Sequence, residues 1–436
     1  MIKYNSTINT PVSIIMNLPS FINTLDFDAD KINKKTLKVS QDDNKEFAYH
    51  VLNYSSCEDQ NYDETLQLLE NGKTPIGYYR SVVVDPETNQ VLCIAPPKSC
   101  SLDSFTKKHP EINSTIQINE TIEGTMINLF WDPRRNRWEI ATKGSIGGNY
   151  WYFRTSYDKN SSQQTFRQMF CNALGYPSYT NFNEISIFND LSKNCCYSFV
   201  LQHPSNHIVL EITEATVWLV AVYEINDKNE VLSLSLDTIS KKSLFNNVTN
   251  RIIVNTYSKP LEEGEVTSLD SLNATIENNN QSKNIKPGFM LTDLNTGLRL
   301  KITNKTYEEI KSIRGNNPNM QFHYFALQQA EQIQTFLEHF PKYKGMFDKF
   351  ERQTNEFIRK VHDAYVLYYV QKRGKEFQIH KSIFNHICKL HFEIRVPSLE
   401  KPEKVTITKK VVSDYFKQMQ PKEKLYYITK AFDLEQ

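Results

Sequence analysis

Residues Thr121 to Asn149 read TIEGTMINLFWDPRRNRWEIATKGSIGGN. Two short runs rich in β-branched and aromatic residues, GTMINLFW and RWEIATKG, flank Asp132-Pro133-Arg134-Arg135-Asn136, whose residue types favour a turn. The stretch therefore predicts a β-hairpin with two exposed arginines at its tip. Ahead of it, Gly124 permits a bulge in the strand and Glu123 can pair with a neighbouring strand's arginine. Trp131, Trp138 and Trp151 read as packing against the core or a sheet face.

Working outward, the pattern from Tyr78 to about Thr306 is that of strands. YRSVVVD, VLCIAP, NYWYFR, YSFVLQHP, HIVLEI, TVWLVAVYEI, NRIIVNTYS, KPGFMLTD and GLRLKIT are each bounded by Asp, Asn, Pro or Gly. A helix is expected over Gln163 to Leu174, another near Tyr62 to Asn71, and a long polar loop over Leu261 to Lys286. After Phe322 apolar residues recur at three- and four-residue steps, so Phe357, Val361, Tyr365 and Tyr368 should share one helix face as bundle core. Strands with inserted helices followed by helices alone predict an α+β fold on antiparallel sheets, then an all-α C-terminal domain. The expected divisions are 1–75 as an N-terminal α+β extension, 76–320 as the main domain and 321–436 as the helical domain.

The 436 residues suffice for two or three domains, and a hydrophobic content of 39% fits a globular chain rather than a disordered one. Formal charge is only +1 overall, yet residues 341–436 hold 20 Lys and Arg against 12 Asp and Glu, leaving 31 against 38 for the rest. A basic final third suits contact with phosphates, and equally a solvated lysine-rich helical surface. Seven cysteines without CxxC or Cys/His spacing predict a reduced, intracellular protein without structural zinc. The N-terminus has no secretory pattern, and no apolar run is long enough to span a bilayer, so no membrane partner is expected.

Seven short motifs in order make the chain resemble the RNA ligases of the T-even phage type and their relatives in large DNA viruses, over roughly Gly77 to Gly315. They belong to the ATP-dependent covalent nucleotidyltransferases, in which antiparallel sheets flank a cleft. Tyr79-Arg80-Ser81-Val82-Val83-Val84 is similar to the strand preceding the family's nucleophile. Ala95-Pro96-Pro97-Lys98-Ser99 resembles its Pro-x-x-Lys element. Glu123-Gly124-Thr125 resembles the Asp-Gly-Ser after the nucleophile, and Thr142-Lys143-Gly144-Ser145-Ile146-Gly147 a near-identical family string. Ser198 to Val209 and Pro287-Gly288-Phe289-Met290 resemble two further strands, and Lys301-Ile302-Thr303 stands where the family has Lys-x-Lys. The resemblance implies ATP and Mg2+ as cofactors, RNA ends as partner, and a place in the host cytoplasm or a virion. It also implies that Arg80, Lys98, Glu123, Gly124, Lys143 and Lys301 contact nucleotide or phosphate.

The departures from the pattern have one direction. Thr121 stands at the nucleophilic lysine, Val200 and Pro287 at two carboxylates, Thr303 at the second lysine and His207 at an arginine. A threonine hydroxyl forms no phosphoramidate, and lost carboxylates remove ribose and metal contacts. Three functions follow for comparison: a ligase with a displaced nucleophile (Lys98 first, Lys143 second), a catalytically inactive relative that binds RNA or nucleotide, and a capping-type guanylyltransferase, which the TKGSIGG string disfavours. No protein metal site is expected.

Overall fold

The computed structural model describes residues 15–17, 32–40, 46–55, 64, 74–112, 115–150, 164–178, 180–206, 208–234, 236, 239, 252–255, 269–278, 285–293, 297–317, 319–374 and 379–433. The helix expected near residues 62–71, His207 and Trp151 lie outside them. The chain falls into two compact units that divide between Lys311 and Ser312.

The first unit opens with β1 (Ile15–Asn17) and a long hairpin, β2 (Ile32–Ser40) and β3 (Glu46–Tyr54), paired residue for residue from Ile32↔Tyr54 to Ser40↔Glu46. Strands β4 (Val82–Val84) and β5 (Val91–Ile94) complete an antiparallel sheet in the order β2-β3-β4-β5. Phe47, Tyr49 and Val51 alternate along β3 and pack with all three valines of β4, as the two-residue period of a half-buried strand requires. Helix α1 (Leu102–Lys108) follows, its first turn capped by the Ser101 side chain, and then β6 (Ile116–Glu120).

The opening stretch folds as the expected hairpin, β7 (Thr125–Asp132) against β8 (Arg137–Thr142), with β9 (Ser145–Ile146) beyond it. Its arginines are not exposed, contrary to expectation. Arg135 is fully buried, its Nε 2.5 Å from Asp132 and its Nη1 3.1 Å from Glu139, while Arg134 reaches Asp85 at 2.7 Å and Glu87 at 2.6 Å. The turn leans on β3, where Tyr49 donates its hydroxyl to Asp132 at 2.5 Å, so both guanidiniums are covered and need carboxylates.

Helix α2 (Phe166–Leu174) starts on a capping box, Thr165 with Gln168, and stops at Gly175. Strands β10 (Cys195–Gln202), β11 (Thr216–Ile225), β12 (Glu230–Leu234) and β13 (Ile252–Val254) come next. Among the described residues eight strands make one sheet, β1-β12-β11-β10-β7-β8-β9 with β13 parallel to β11. Helix α3 (Leu269–Asn278) occupies part of the stretch expected to be a loop. Its Leu272 and Ile276, one turn apart, are buried and give the Asn-rich segment an apolar anchor.

Strands β14 (Gly288–Asp293) and β15 (Arg299–Thr303) join β6 in a three-stranded antiparallel sheet, order β15-β14-β6, and α4 (Lys305–Arg314) spans the division between the units. One face of this sheet is apolar: Ile116, Ile118, Phe289, Leu291, Leu300 and Ile302 pack with Phe105 of α1 and with Leu272 and Ile276 of α3. Full burial of side chains of this size contributes roughly 1.5–3 kcal/mol each. The residues between them face the other way.

The second unit is helical: α5 (Met320–Gln329), α6 (Ile333–His339), α7 (Lys344–Tyr365), α8 (Lys381–Lys389), α9 (Lys409–Lys417) and α10 (Pro421–Asp433). Phe357, Val361 and Tyr365 of the expected stripe are buried, and Tyr368 is half-buried on the π-helical turn that continues α7. Phe336 and Phe347 stack at 5.0 Å in the core. Among the described residues no helix is long and apolar enough to cross a membrane.

Candidate functional site

The polar face of the three-stranded sheet closes over the eight-stranded sheet to bound a cleft of about 510 Å3. Alternation decides which side chains enter it: Gln117 and Asn119 from β6, Met290 and Thr292 from β14, Arg299 and Lys301 from β15. The sheets are stitched at one side by Asn119 Nδ2 donating to the Asn255 carbonyl at 3.0 Å and Asn255 Nδ2 donating to the Glu120 carbonyl at 3.2 Å. Residues 121–124 are the crossing point, where the chain leaves β6 for β7 and passes from one sheet to the other.

Each residue of that crossing is held differently. Thr121 donates its backbone N–H to the Gly288 carbonyl at 2.9 Å, and its solvent-shielded hydroxyl has no hydrogen-bond partner among the described residues. Glu123 is buried, and its carboxylate accepts from the backbone amides of Ile208, Val209 and Leu210 at 3.0–3.2 Å. Tyr307 of α4 also hydrogen-bonds Glu123, and burial with that carboxylate pushes the phenol well above its usual pKa. The strand expected at HIVLEI therefore does not form, since its amides serve Glu123 rather than a ladder partner. Gly124 passes so close to β10 that a Cβ there would lie 2.4 Å from the Leu201 carbonyl oxygen, which only glycine tolerates.

Arg80, Lys98, Thr121, Glu123, Gly124, Val200, Pro287 and Lys301 all line the cleft. Lys98 enters just after β5, its backbone N–H bonded to the Gly77 carbonyl at 2.9 Å. Lys143 is not part of the lining; its ammonium sits 4.9 Å over the ring of Tyr54. Thr303 is exposed at the end of β15. The i, i+2 pair that faces the cleft from this strand is Arg299 and Lys301. Arg299 and Lys311 were not singled out from sequence; counting two residues back from Lys301 along a strand would have found the arginine.

Electrostatics mark these cations. Arg299 has its pKa lowered by burial and by the charge of Arg80, with Tyr223 opposing. Burial pushes the Tyr223 phenol up to about 12, with the charges of Arg299 and Arg80 pulling the other way. The Lys301 amine is pushed down by burial first and then by Lys311 and Arg80, against the pull of Glu308 at 3.6 Å. Among the described residues no carboxylate pairs with Arg80 or Arg299.

The acids in the lining are already engaged. Glu123 is taken by three amides and a phenol, Glu120 pairs with Lys286, and Asp293 faces His109 at 3.5 Å. Val200 and Pro287 offer no side-chain oxygen. Among the described residues no three His, Cys, Asp or Glu side chains are placed to hold a metal ion. Mg2+ keeps several waters and takes one or two carboxylates with the substrate's phosphates, and with the lining acids engaged this donor set offers it no free carboxylate. The set does fit phosphate oxygens, and Met126, Val200, Val220, Ile208 and Leu234 supply an apolar wall for a base or sugar.

Solved structures similar to this chain include an archaeal ATP-dependent RNA ligase in two forms. Their TM-scores are 0.38 and 0.36, each at 10% identity, covering 87% and 84% of this chain and 82% and 75% of theirs. A mutant Naegleria gruberi RNA ligase with ATP and Mn aligns at a TM-score of 0.29 and 10% identity, over 65% of this chain and 97% of its own. No family model and no curated protein sequence matches the chain.

Proposed function

We propose that this chain is an RNA ligase-like protein of the ATP-dependent nucleotidyltransferase superfamily, whose cleft binds the phosphate of nucleotides and RNA ends while lysyl-AMP formation is impaired. One observation supports this: Thr121, which the resemblance sets where the family has its lysine, lies at the crossing of two sheets among the lining of a cleft that also holds Arg80, Lys98, Arg299 and Lys301. So read, the place of the nucleophile holds a hydroxyl where the family has an amine. In this reading 1–75 extends a nucleotidyltransferase domain at 76–320, and the basic helices of 321–436 add RNA contacts that weaken as salt rises.

A second reading keeps the chemistry through a displaced amine. Lys98 lines the cleft, and Lys301 has an amine whose protonation burial disfavours, as a nucleophile requires. Either nitrogen would attack the α-phosphorus of ATP, lose a proton, and expel pyrophosphate. The test is the intact mass of the protein after incubation with ATP and Mg2+ or Mn2+, alongside equilibrium binding of ATP and RNA. The expected result is binding without an adduct. An AMP adduct mapped to Lys98 or Lys301 would establish the second reading, and absence of any binding would overturn both.

A further inference from the structure

We infer that the cleft holds a nucleoside 5′-phosphate, free or at an RNA end, without a divalent cation, the paired guanidiniums of Arg80 and Arg299 standing where a metal would otherwise serve. The inference rests on the nucleotide-binding reading above and deepens it.

Like charges brought together away from water cost energy unless an anion joins them. Arg80 and Arg299 are such a pair: both line the same cleft, the charge of Arg80 helps lower the Arg299 pKa, and neither has a carboxylate partner among the described residues. Arg135, in the same unit, shows how this fold treats a guanidinium meant only for structure: it is given Asp132 and Glu139. An unneutralised pair in a cleft is instead suited to a dianion, which two planar forks grip better than two ammoniums would. Lys301 adds a third cation. A divalent ion would bring more positive charge to this cluster and find Glu120, Glu123 and Asp293 already engaged.

The experiment is calorimetric titration of the full chain with AMP, with ATP, and with a short RNA carrying either a 5′-phosphate or a 5′-hydroxyl, each in EDTA and in Mg2+. AMP is expected to bind in EDTA within about threefold of its affinity in Mg2+, and Arg80→Met or Arg299→Met to weaken it about tenfold or more, the loss of one charge-assisted contact. Arg299→Lys, which keeps the charge, and a thermal melt of each variant separate lost contact from lost fold. Tighter binding of 5′-phosphate than 5′-hydroxyl RNA identifies the RNA end as ligand; AMP binding with no such preference identifies the free nucleotide. Binding that appears only with Mg2+ overturns the metal-free clamp and leaves the nucleotide reading standing. No binding under either condition overturns both. Binding untouched by folded Arg80→Met and Arg299→Met overturns the assignment of the clamp.

Discussion

The turn between β7 and β8 and the mouth of the cleft each gather arginines, and the two gatherings are built on opposite terms. At the turn, Glu139 alone receives Arg135 at 3.1 Å, Arg137 at 3.0 Å and Arg167 at 2.7 Å, while Asp132 and Asp85 hold the other sides of Arg135 and Arg134. Every charge there has its opposite, and the ring of Tyr49 lies 5.4 Å under one guanidinium. At the cleft, among the described residues, Arg80 and Arg299 have no carboxylate partner, and Arg299 reaches only the Pro97 carbonyl, at 3.5 Å. Charge balanced inside a protein holds the fold; charge left unbalanced at a cavity wall is held for a ligand. The adjacent arginines of the turn were the conspicuous ones in the sequence, yet they are structural.

The largest effect that would sharpen this contrast is on stability. Arg135→Met leaves Asp132 and Glu139 buried with a lost partner, and should cost about 3–5 kcal/mol of unfolding free energy in urea or guanidinium titration. Arg80→Met should leave unfolding free energy unchanged or raise it, because it removes one member of a repelling pair. A loss at Arg80 comparable to that at Arg135 would break the comparison.

Acid and alkali should act on the two gatherings in separate windows. Burial alone would raise the Glu139 pKa, but Arg167, Arg135, the Ile140 amide and Arg137 together hold it below the usual carboxylate value. Its contribution to stability is therefore complete above that value and is lost as pH falls through the depressed one. Lys301 is depressed too, but it is a base, so the folded state disfavours its charged form. Its charge costs stability as pH falls below 10.5, the ordinary lysine value, and the cost is relieved as pH rises through that window. Phosphate binding has the opposite dependence, since it needs the charged amine: affinity for AMP should begin to fall at a pH below that of an ordinary lysine. Acid melts followed by the Arg135 variant, and AMP titrations from neutral to alkaline pH, measure the two arms. An AMP affinity flat up to the ordinary lysine range would remove Lys301 from the phosphate contacts.

Much of this organisation could be read from the chain, and what escaped did so for physical reasons. Strands such as TVWLVAVYEI announced themselves because aromatic and β-branched residues crowd both faces of a buried sheet. β2 did not, because Lys34, Lys35 and Lys38 interrupt a ribbon that packs on one side only. HIVLEI looked like a strand by composition and was claimed instead by the Glu123 carboxylate, a contact between residues far apart in sequence that no local pattern reveals. Arg299 escaped for a related reason: its importance comes from Arg80, in the turn before β4, and Tyr223 of β11, both distant in sequence.

The smallest expected effect concerns Lys143, which the string TKGSIGG singles out and the geometry sets apart. Its ammonium lies over the Tyr54 ring at 4.9 Å, and Tyr54 itself touches the cleft. An exposed cation–π contact is worth about 0.5–1 kcal/mol, so Lys143→Ala should lower stability by no more than that and change AMP affinity less than about threefold. The same substitution would matter more if a longer ligand, such as an RNA strand leaving the cleft, ran past Tyr54. AMP and 5′-phosphate RNA should then respond differently to Lys143→Ala, the RNA losing affinity more steeply and with a smaller dependence on salt than before. Equal, tenfold losses for both ligands would put Lys143 inside the phosphate site and blur the line drawn here between cations that face the cleft and cations that only border it.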